Sequence, residues 1–426
     1  MNFNEAVNYI SESEKYGIVP GLESIKRLCS ALSNPQNKLR FIHIAGTNGK
    51  GSVGAFINSV LSEAGYKTGR YVSPAVMDYL EKIQYNNKNI SEEEFASAIE
   101  KVKKAADSVV SDGFPHPTVF EMETAAAFCF FAEKKCDIVL LEAGMGGKSD
   151  ATNVIDTSEL SLITSVSLEH TQFLGSTLEE ISGEKAGIIK RNGRVITVSQ
   201  DSGVMNVIRK VSEEKNAKLS EANLSDITGY KFENGIQSFS YGSYRDIRIS
   251  LTGKFQTENA ALAIEACTAL REKGFSISDK DIYKGLETAV WPGRFEIIKK
   301  QSPVIIIDGS HNSSAAEKLR ESLDLYFPDK RTAFIMGTFK DKNFTDMARL
   351  TADKAEKIYT VSTEGKRALS SEELARSVSK FNKNVTAASS VEEAVSLCCS
   401  GNFDVVVAFG SLSFLSKLKK CVNGEQ

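Results

Sequence analysis

The glycine-rich segment FIHIAGTNGKGSV, which spans Phe41 to Val53, constrains the fold and the chemistry of this chain more than any other. An apolar strand runs into a tight turn and then into a segment with helical composition. Gly46, Gly49 and Gly51 can adopt backbone angles that other residues avoid, so successive N–H groups can point into one concavity. The helix N-terminus adds a partial positive charge and Lys50 adds a full one, so we expect the turn to bind a nucleoside triphosphate.

The turn departs from the general phosphate-loop consensus, Gly-x-x-x-x-Gly-Lys-Ser/Thr, at two positions. Ile44 stands where the first glycine belongs, and Gly51 stands where the hydroxyl residue belongs. A glycine-rich strand-to-helix turn that binds nothing is therefore an open alternative. The predicted nucleotide contacts in the turn are Gly46, Thr47, Asn48, Gly49, Lys50, Gly51 and Ser52.

Length and composition predict a globular protein with two or three domains. The chain has 426 residues, of which 41% are hydrophobic and 25% charged, and a domain typically has about 100 to 200 residues. The net charge of -3 gives no broad attraction to nucleic acid or to an anionic membrane. Seven cysteines without a C-x-x-C pair argue against a disulfide framework and a zinc site. With no apolar run of about 18 residues, the sequence predicts a cytoplasmic protein without a membrane span.

Strands and helices alternate along most of the chain, which predicts an α/β fold with a doubly wound, mostly parallel sheet. Residues 119–134 and 256–272 have helical patterns, and two short helices are expected within 4–32. Residues 230–251 alternate in the manner of antiparallel strands and predict a small side sheet. Residues 75–90 show no clear period, which suits a surface loop.

Proline and glycine interrupt the pattern at WPGRFEIIKK, residues 291–300, and a second series of strands and helices follows. We therefore expect an N-terminal nucleotide-binding domain over residues 1–295 and a smaller, Rossmann-like α/β domain over residues 296–426.

Three donor side chains, Ser73, Glu142 and His170, stand at the carboxyl ends of predicted parallel strands. Ligands of such sheets bind at this edge. An unpaired carboxylate at Glu142 would be costly unless a positive charge meets it. Mg²⁺ needs few protein ligands and leaves its other positions to water and phosphate oxygens, so the three residues predict a magnesium site. Ser73 as a turn residue before Pro74, and His170 as an ordinary histidine, are the alternatives.

Eight motifs occur in order along the chain: GTNGKGS, FEMETAAAF, EAGMGGKSDATN, SLEHTQFLG, GEKAGIIK, FQTENAALA, PGRFE and DGSHNSSA, with a weaker match at GSL. Together they resemble the folylpolyglutamate synthase and dihydrofolate synthase family, of the bacterial bifunctional type, within the ATP-dependent Mur ligases. The resemblance implies that ATP phosphorylates a substrate carboxylate and that the amine of L-glutamate attacks the acyl phosphate. The implied acceptors are reduced folates, with dihydropteroate as a further candidate, and the implied state is a monomer.

The resemblance also implies site residues, position by position. The ATP contacts outside the turn are Asn259, Arg294, Asp308, His311 and Asn312. The substrate contacts are Pro20, Gly21, Leu22, Phe120, Thr152, Asn153 and, from the weaker motif, Ser411. Catalytic roles fall to Lys50, His170, Lys185 and His311. Helix packing explains Phe120 equally well, and outside PGRFE an arginine at 294 would be an ordinary surface residue.

Lys185 lies in GEKAGIIK, where the family lysine often carries a carbamate. The resemblance therefore implies a carbamylated Lys185 that acts as a fourth metal ligand or orients the waters of the metal. From the residues alone, a lysine on this helix would be a solvated charge.

Several positions depart from the family pattern. Ala75 replaces a histidine after Ser73-Pro74, Lys148 and Ser149 replace an arginine and a larger residue, and Glu169 replaces an aspartate. A lysine cannot copy a bidentate arginine contact, so acceptor preference can differ. Two other functions stay open: a Mur-type ligase with a non-folate carboxylate acceptor, and a nucleotide-gated binding protein without catalysis.

Overall fold

A computed structural model describes residues 1–233, 235–365 and 367–424. In it, the first half of the chain contains a mostly parallel, eight-stranded sheet. Its strands are β1 (Phe41–Ala45), β2 (Thr68–Tyr71), β3 (Ile83–Tyr85), β4 (Lys88–Asn89), β5 (Ile138–Glu142), β6 (Leu160–Ile163), β7 (Arg194–Val198) and β8 (Lys218–Ala222). They lie in the order β4-β3-β2-β5-β1-β6-β7-β8. In this order, all neighbouring strands from β2 to β8 pair in parallel, and the pairs β2-β3 and β3-β4 are antiparallel.

Helices cover both faces of this sheet, which is why the central strands β1 and β5 are buried at every position and apolar except at His43 and Glu142. The helices of this part are α1 (Phe3–Glu12), α2 (Glu23–Ala31), α3 (Lys50–Glu63), α4 (Glu92–Ser111), α5 (Val119–Lys134), α6 (Thr171–Leu174), α7 (Leu178–Ala186), α8 (Ser202–Glu214), α9 (Gln256–Glu272) and α10 (Asp279–Thr288). One apolar core lies between the sheet and α3, α9 and α10, and another between the sheet and α1, α2, α4 and α5.

A small antiparallel sheet packs against the first of these cores. It consists of β9 (Ile227–Glu233), β10 (Ile236–Tyr241) and β11 (Tyr244–Ile249), in the order β11-β10-β9. Its inward side chains, such as Phe239 and Ile247, are buried in the core shared with α9.

The elements up to α10 form the first α/β layer, and residues 289–295, which follow α10, form the joining segment. A second α/β layer begins after this segment. Its described strands are β12 (Glu296–Lys299), β13 (Val304–Ile307), β14 (Thr332–Met336), β15 (Lys357–Thr360), β16 (Val385–Ala387) and β17 (Val405–Phe409). Their order is β12-β13-β17-β14-β15-β16, and only β12 is antiparallel to its neighbour. The helices α11 (Ser313–Tyr326), α12 (Phe344–Thr351), α13 (Ser371–Val378), α14 (Val391–Ser400) and α15 (Leu415–Asn423) cover the sheet, with an apolar core on each face.

The predicted fold class is confirmed, and the predicted helices over 119–134 and 256–272 have the bounds of α5 and α9. The expectation of a surface loop over 75–90 is wrong in part, because β3 and β4 lie there and extend the sheet. Strands of three and two residues are too short for an alternating pattern to show. The division at residues 295/296 stays a prediction. None of the helices in the described part of the chain combines the length and the apolar character that crossing a membrane requires.

Candidate active site

The predicted phosphate-binding turn joins β1 to the N-terminus of α3. Gly49 has φ +90°, in the left-handed region, and a Cβ there would lie 2.5 Å from Asn259 Oδ1. The backbone N–H of Thr47 donates to the carbonyl oxygen of Ser165 at 2.7 Å, which fixes the turn to the loop after β6. The turn therefore adopts a defined conformation that brings Asn259 of α9 beside the N-terminus of α3.

A cavity of about 210 Å³ opens beside this turn, between the two α/β layers. The predicted site residues that line it are Thr47, Asn48, Gly49, Lys50, Gly51, Ser52, Ser73, Glu142, His170, Asn259, Arg294, Asp308 and His311. Lining residues that we did not predict include Thr164, Ser165, Glu169, Phe255, Glu258, Trp291 and Lys318. The structure thus brings predicted residues from both layers to one cavity. Gly46, Lys185 and Asn312 are not among its lining residues. Gly46 and Asn312 contact the lining residues Lys50 and Asn48, and Lys185 contacts Gly46.

Lys50 and Glu142 face each other at the floor of the cavity. Lys50 Nζ donates to the carbonyl oxygens of Gly46 and Thr47 at 3.1 and 3.3 Å, and it lies 3.9 Å from Glu142 Oε1. Burial raises the pKa of Glu142, while the positive charges of Lys50, Arg70 and Arg294 act in the opposite direction. The carboxylate therefore lies where a bound cation would stabilise its ionised form further.

Ser73 and His170 line the same cavity as Glu142, from the chain segments that follow β2 and β6. His170 has φ +53° and caps the short helix α6. Burial lowers the pKa of His170 to about 4, against the attraction of Glu169 and together with the repulsion of nearby lysines. The imidazole is therefore neutral at pH 7 and has a lone pair to offer. Among the described residues, no group of three His, Cys, Asp or Glu side chains is placed to hold a metal, so a magnesium ion here would need a hydroxyl such as that of Ser73, together with water and phosphate.

Glu169 connects the two layers across the cavity. Its Oε1 accepts a hydrogen bond from His311 Nε2 at 2.9 Å and another from Lys342 Nζ at 2.8 Å. His311 Nδ1 lies 2.7 Å from the carbonyl oxygen of Gly309. Both ring nitrogens therefore contact oxygen atoms, and these two contacts fix the orientation of the His311 ring at the cavity. Glu169 appeared in the sequence only as a departure from a family aspartate, and nothing in the sequence relates Lys342 to it.

Arg294 and Asp308 meet where the chain passes from one layer to the other. Arg294 Nη1 donates to the carbonyl oxygen of Gly293 at 3.0 Å. Burial raises the pKa of Asp308, whose oxygens accept from the backbone N–H groups of Phe295 and Ser310 at 2.7 and 2.8 Å and from the Ser310 hydroxyl. Asp308 thus holds the joining segment in place, and Arg294 lines the cavity from this segment.

Another ion pair crosses between the layers on the side of the cavity lined by Phe255. Lys318 Nζ of α11 lies 3.0 Å from Glu258 Oε1 of α9, and both residues line the cavity. A carboxylate and an ammonium beside an aromatic ring are groups that can bind the base and sugar of a nucleotide.

Lys185 lies on α7, behind the phosphate-binding turn. It is 4% exposed, and its Nζ donates to the carbonyl oxygen of Gly46 at 2.8 Å. Burial and the neighbouring Lys50 lower the pKa of Lys185 to about 7, against the opposing effect of Glu169 and Asp150. The expectation from residues alone, a solvated lysine, is therefore wrong: this side chain is buried, and its surroundings disfavour the ammonium form.

The predicted substrate residues are spread over several places. Pro20, Gly21 and Leu22 precede α2, and the Gly21 N–H donates to the Ser149 carbonyl oxygen at 3.1 Å. Phe120 packs on Gly144, which lines the cavity, so this ring borders the site from the α5 side. Ser411 is buried next to Leu412, which lines the cavity from the second layer.

Thr152 and Asn153 differ from the other predicted substrate residues because their polar side-chain atoms already form hydrogen bonds within the protein. Thr152 is fully buried, and its Oγ1 contacts His43 Nε2 at 2.9 Å and donates to Asp150 Oδ1 at 2.5 Å. Asn153 Nδ2 donates to the carbonyl oxygens of Lys148 and Gly187, and its Oδ1 accepts from Lys190 Nζ. In this structure both side chains support the loop after β5.

Comparisons with known proteins cover nearly the whole chain. Residues 44–267 match the Mur ligase middle domain, and residues 293–412 match the Mur ligase glutamate ligase domain. The dihydrofolate synthase/folylpolyglutamate synthase of Bacillus subtilis is 36% identical over 98% of both chains. Among solved structures, Mycobacterium tuberculosis folylpolyglutamate synthase complexed with ADP and AMPPCP superposes with a TM-score of 0.91, at 26% identity over 100% of both chains. Escherichia coli FolC in complex with DHPP and ADP gives 0.86, at 27% identity over 98% of both chains.

Proposed function

Since the chain belongs to the dihydrofolate synthase/folylpolyglutamate synthase family of the ATP-dependent Mur ligases, we propose that it joins L-glutamate to reduced folates and also to dihydropteroate. The observation that carries this proposal is the shared cavity, where the phosphate-binding turn, Glu142 and His170 of one layer face His311 of the other and Arg294 of the joining segment. A ligase that uses ATP needs such a site, because the nucleotide and the acceptor carboxylate must be aligned together.

The reaction has two steps. The acceptor carboxylate takes the γ-phosphoryl group of ATP and releases ADP, which gives an acyl phosphate. The amine of L-glutamate then attacks the acyl carbon, phosphate leaves, and the amide forms with loss of a proton from the amine. Phosphoryl transfer depends on alignment and on neutralisation of charge rather than on a protein nucleophile.

The residues supply those two requirements from opposite sides. The N–H groups at the start of α3 and the Lys50 ammonium bind the phosphates, and Asn259 lies beside them. Arg294 of the joining segment and His311 of the second layer approach from the other side, where they stabilise charge on the transferring group. Glu169 holds the His311 ring in this direction through the contact at Nε2.

Ser73, Glu142 and His170 fit a Mg²⁺ site, because they combine a buried carboxylate with a hydroxyl and a neutral imidazole on one cavity wall. When bound, the ion neutralises charge on the phosphate oxygens. Lys185 lies behind the turn, and a carbamate on it would supply oxygen donors for this site.

We further propose that residues 1–295 and 296–426 act as two domains of a monomer that close over ATP. Family models match the two parts separately, and both halves of the cavity come from one chain. Sedimentation at micromolar concentration should give the mass of one chain.

The direct test is ATP-dependent incorporation of labelled L-glutamate with a reduced folate and, separately, with dihydropteroate. We expect product with each acceptor and ADP in equal amount. Lys50→Met should abolish both reactions, whereas the matched variant Lys67→Met, at an exposed position before β2, should retain them. If neither acceptor gives product while ATP and magnesium still bind, the proposed substrates are wrong. Release of phosphate only with a non-folate carboxylate would favour another Mur-type ligase.

A further inference from the structure

Arg70 lies between the phosphate-binding turn and the segment that joins the two layers. It is on β2 and only 3% exposed. Its Nη2 donates to the carbonyl oxygen of Gly51 at 2.5 Å, and its Cζ lies 4.0 Å from the centre of the Trp291 ring. Gly51 belongs to the first turn of α3, and Trp291 lies between α10 and β12. One guanidinium therefore contacts the phosphate-binding helix and the joining segment at the same time.

The departure of the turn from the general consensus makes room for this stack. At Gly51, where the consensus has serine or threonine, a Cβ would lie 2.5 Å from Trp291 Nε1 and 2.8 Å from Cε2. At Gly54, one turn further along α3, a Cβ would lie 3.5 Å from Arg70 Nε. The side of α3 that faces Arg70 and Trp291 is thus formed by glycines, and the indole takes the space that a hydroxyl side chain would fill.

Burying the Arg70 guanidinium costs free energy, and filling the core would not require a charged side chain at this position. Burial lowers the pKa of Arg70 to about 10, with Glu142 and Glu81 acting against this effect, so Arg70 stays charged at pH 7. Within the described part of the chain, Arg70 Nε and Trp291 Nε1 are buried without a hydrogen-bond partner. Such donors cost free energy, which an apolar side chain at position 70 would avoid.

We propose that Arg70 is a positioning residue that couples the joining segment to the phosphate-binding turn through its stack on Trp291. This inference rests on the nucleotide site of the proposed function. The bond from Arg70 Nη2 holds the Gly51 carbonyl, and with it the direction of the N–H groups at the start of α3. Trp291 holds the guanidinium from its other side. When the layers separate, Trp291 moves with the joining segment and the first turn of α3 loses this support.

The first test measures ADP affinity without any acceptor, by calorimetry. Arg70→Met should raise the dissociation constant about tenfold, since a charge-assisted hydrogen bond is lost, and Trp291→Phe should raise it by a smaller factor. The double variant should be no worse than Arg70→Met, because both changes break one coupling. Arg40→Met is the matched control: its guanidinium lies 4.5 Å from the Phe275 ring, and Arg40 does not line the cavity. It should bind ADP as the unchanged protein does.

The second test uses fluorescence, because Trp291 is the only tryptophan in the chain. ADP should shift its emission in the unchanged protein, and the shift should be absent in Arg70→Met at saturating ADP. Arg70→Lys, which keeps the charge but not the planar stack, should give an intermediate affinity and serves if circular dichroism shows that Arg70→Met does not fold. The inference would be overturned if Arg70→Met and Arg70→Lys both bound ADP within about twofold of the affinity of the unchanged protein and kept its emission shift. Because no acceptor is present, a wrong folate assignment would leave these outcomes unaffected.

Discussion

The side-chain amides of Asn48 and Asn312 exchange two hydrogen bonds across the cavity between the two layers. Asn48 Nδ2 donates to Asn312 Oδ1 at 3.3 Å, and Asn312 Nδ2 donates to Asn48 Oδ1 at 3.1 Å. Asn48 belongs to the phosphate-binding turn, and Asn312 caps α11 by accepting from the Ala315 N–H at 2.9 Å. The conformation of the turn is therefore linked to the position of the second layer.

Asn312→Ser should remove the hydrogen bonds to Asn48 and keep the cap of α11. Serine caps helices about as well as asparagine, within about 0.5 kcal/mol, but it is too short to reach Asn48. We expect an almost unchanged free energy of unfolding and a fall in kcat/KM for ATP of about tenfold, as for the loss of one or two hydrogen bonds in the closed state. Asn2→Ser, at the cap of α1, is the matched control. Unchanged kcat/KM in Asn312→Ser would show that the amide pair does not contribute to closure.

Arg294→Ala should lower turnover much more than it lowers folate binding. The guanidinium lines the cavity from the joining segment, and we expect it to contact the phosphates only when the layers meet. Loss of a cation that stabilises the transferring group typically costs about a hundredfold or more in kcat. Steady-state kinetics and acceptor binding measure the two effects separately. Arg331→Ala, which removes an exposed pair with Glu356, is the control, and normal turnover in Arg294→Ala would remove this arginine from the mechanism.

The sequence predicted the part of the site that strand topology controls. Glu142 ends β5, Ser73 and His170 follow β2 and β6, and parallel strands bring their carboxyl ends to one edge of the sheet. Contacts between the layers were not predictable in the same way. Glu169 and Lys342 are 173 positions apart in sequence, and no period or strand rule relates them. Trp291 was part of a boundary motif, but its contact with Gly51 depends on the path of the joining segment.

Lys342→Met tests the contact that Glu169 makes between the layers. Burial opposes ionisation of Glu169, but His311 and Lys342 hold the pKa of this carboxyl well below its usual range. Removing Lys342 leaves a buried carboxylate with one partner, and we expect a loss of about 2 kcal/mol in urea unfolding at pH 7. Lys318→Met, which breaks the more exposed pair with Glu258, should cost less than about 1 kcal/mol.

The difference in unfolding free energy between Lys342→Met and Lys318→Met should depend on pH, because the pKa of Glu169 changes on folding. The pKa of Glu169 is lower in the folded protein, so its stabilising contribution is present above the pKa of an unfolded glutamate, about 4.3. It is lost as the pH falls below that value towards the folded pKa. The gap between the two lysine variants should therefore be constant from pH 8 to about pH 5 and narrow only in stronger acid. A gap that disappears near neutral pH would contradict an ionised Glu169.

Gly51→Ala should destabilise the contact between α3 and Trp291. The new methyl group would lie 2.5 Å from the indole nitrogen, and because the ring is 5% exposed it has little free space to move into. We expect an unfolding penalty of about 1 to 3 kcal/mol and a red shift of tryptophan emission as the ring moves towards solvent. Gly183→Ala is a matched change within α7, where a Cβ meets nothing within 4 Å, and it should stabilise by about 0.5 to 1 kcal/mol. Equal stability of the two variants would argue against close packing at Gly51.

Lys185 gives the last prediction, that the active protein carries a carbamate on this residue. The family resemblance motivates it, and the structure supplies a physical condition: burial lowers the pKa of Lys185 to about 7, so the neutral amine that reacts with carbon dioxide is abundant. Below this pH the group is an ammonium, which would repel a metal; above it, carbamylation and turnover should rise.

Lys185→Ala should lose most activity, and acetate or formate should partly restore it by replacing the carbamate oxygens. Lys190→Ala, which removes a nearby buried lysine bonded to Asn153, should not respond to these acids. Full activity in Lys185→Ala, or loss that neither acid restores, would exclude a carbamate from the mechanism.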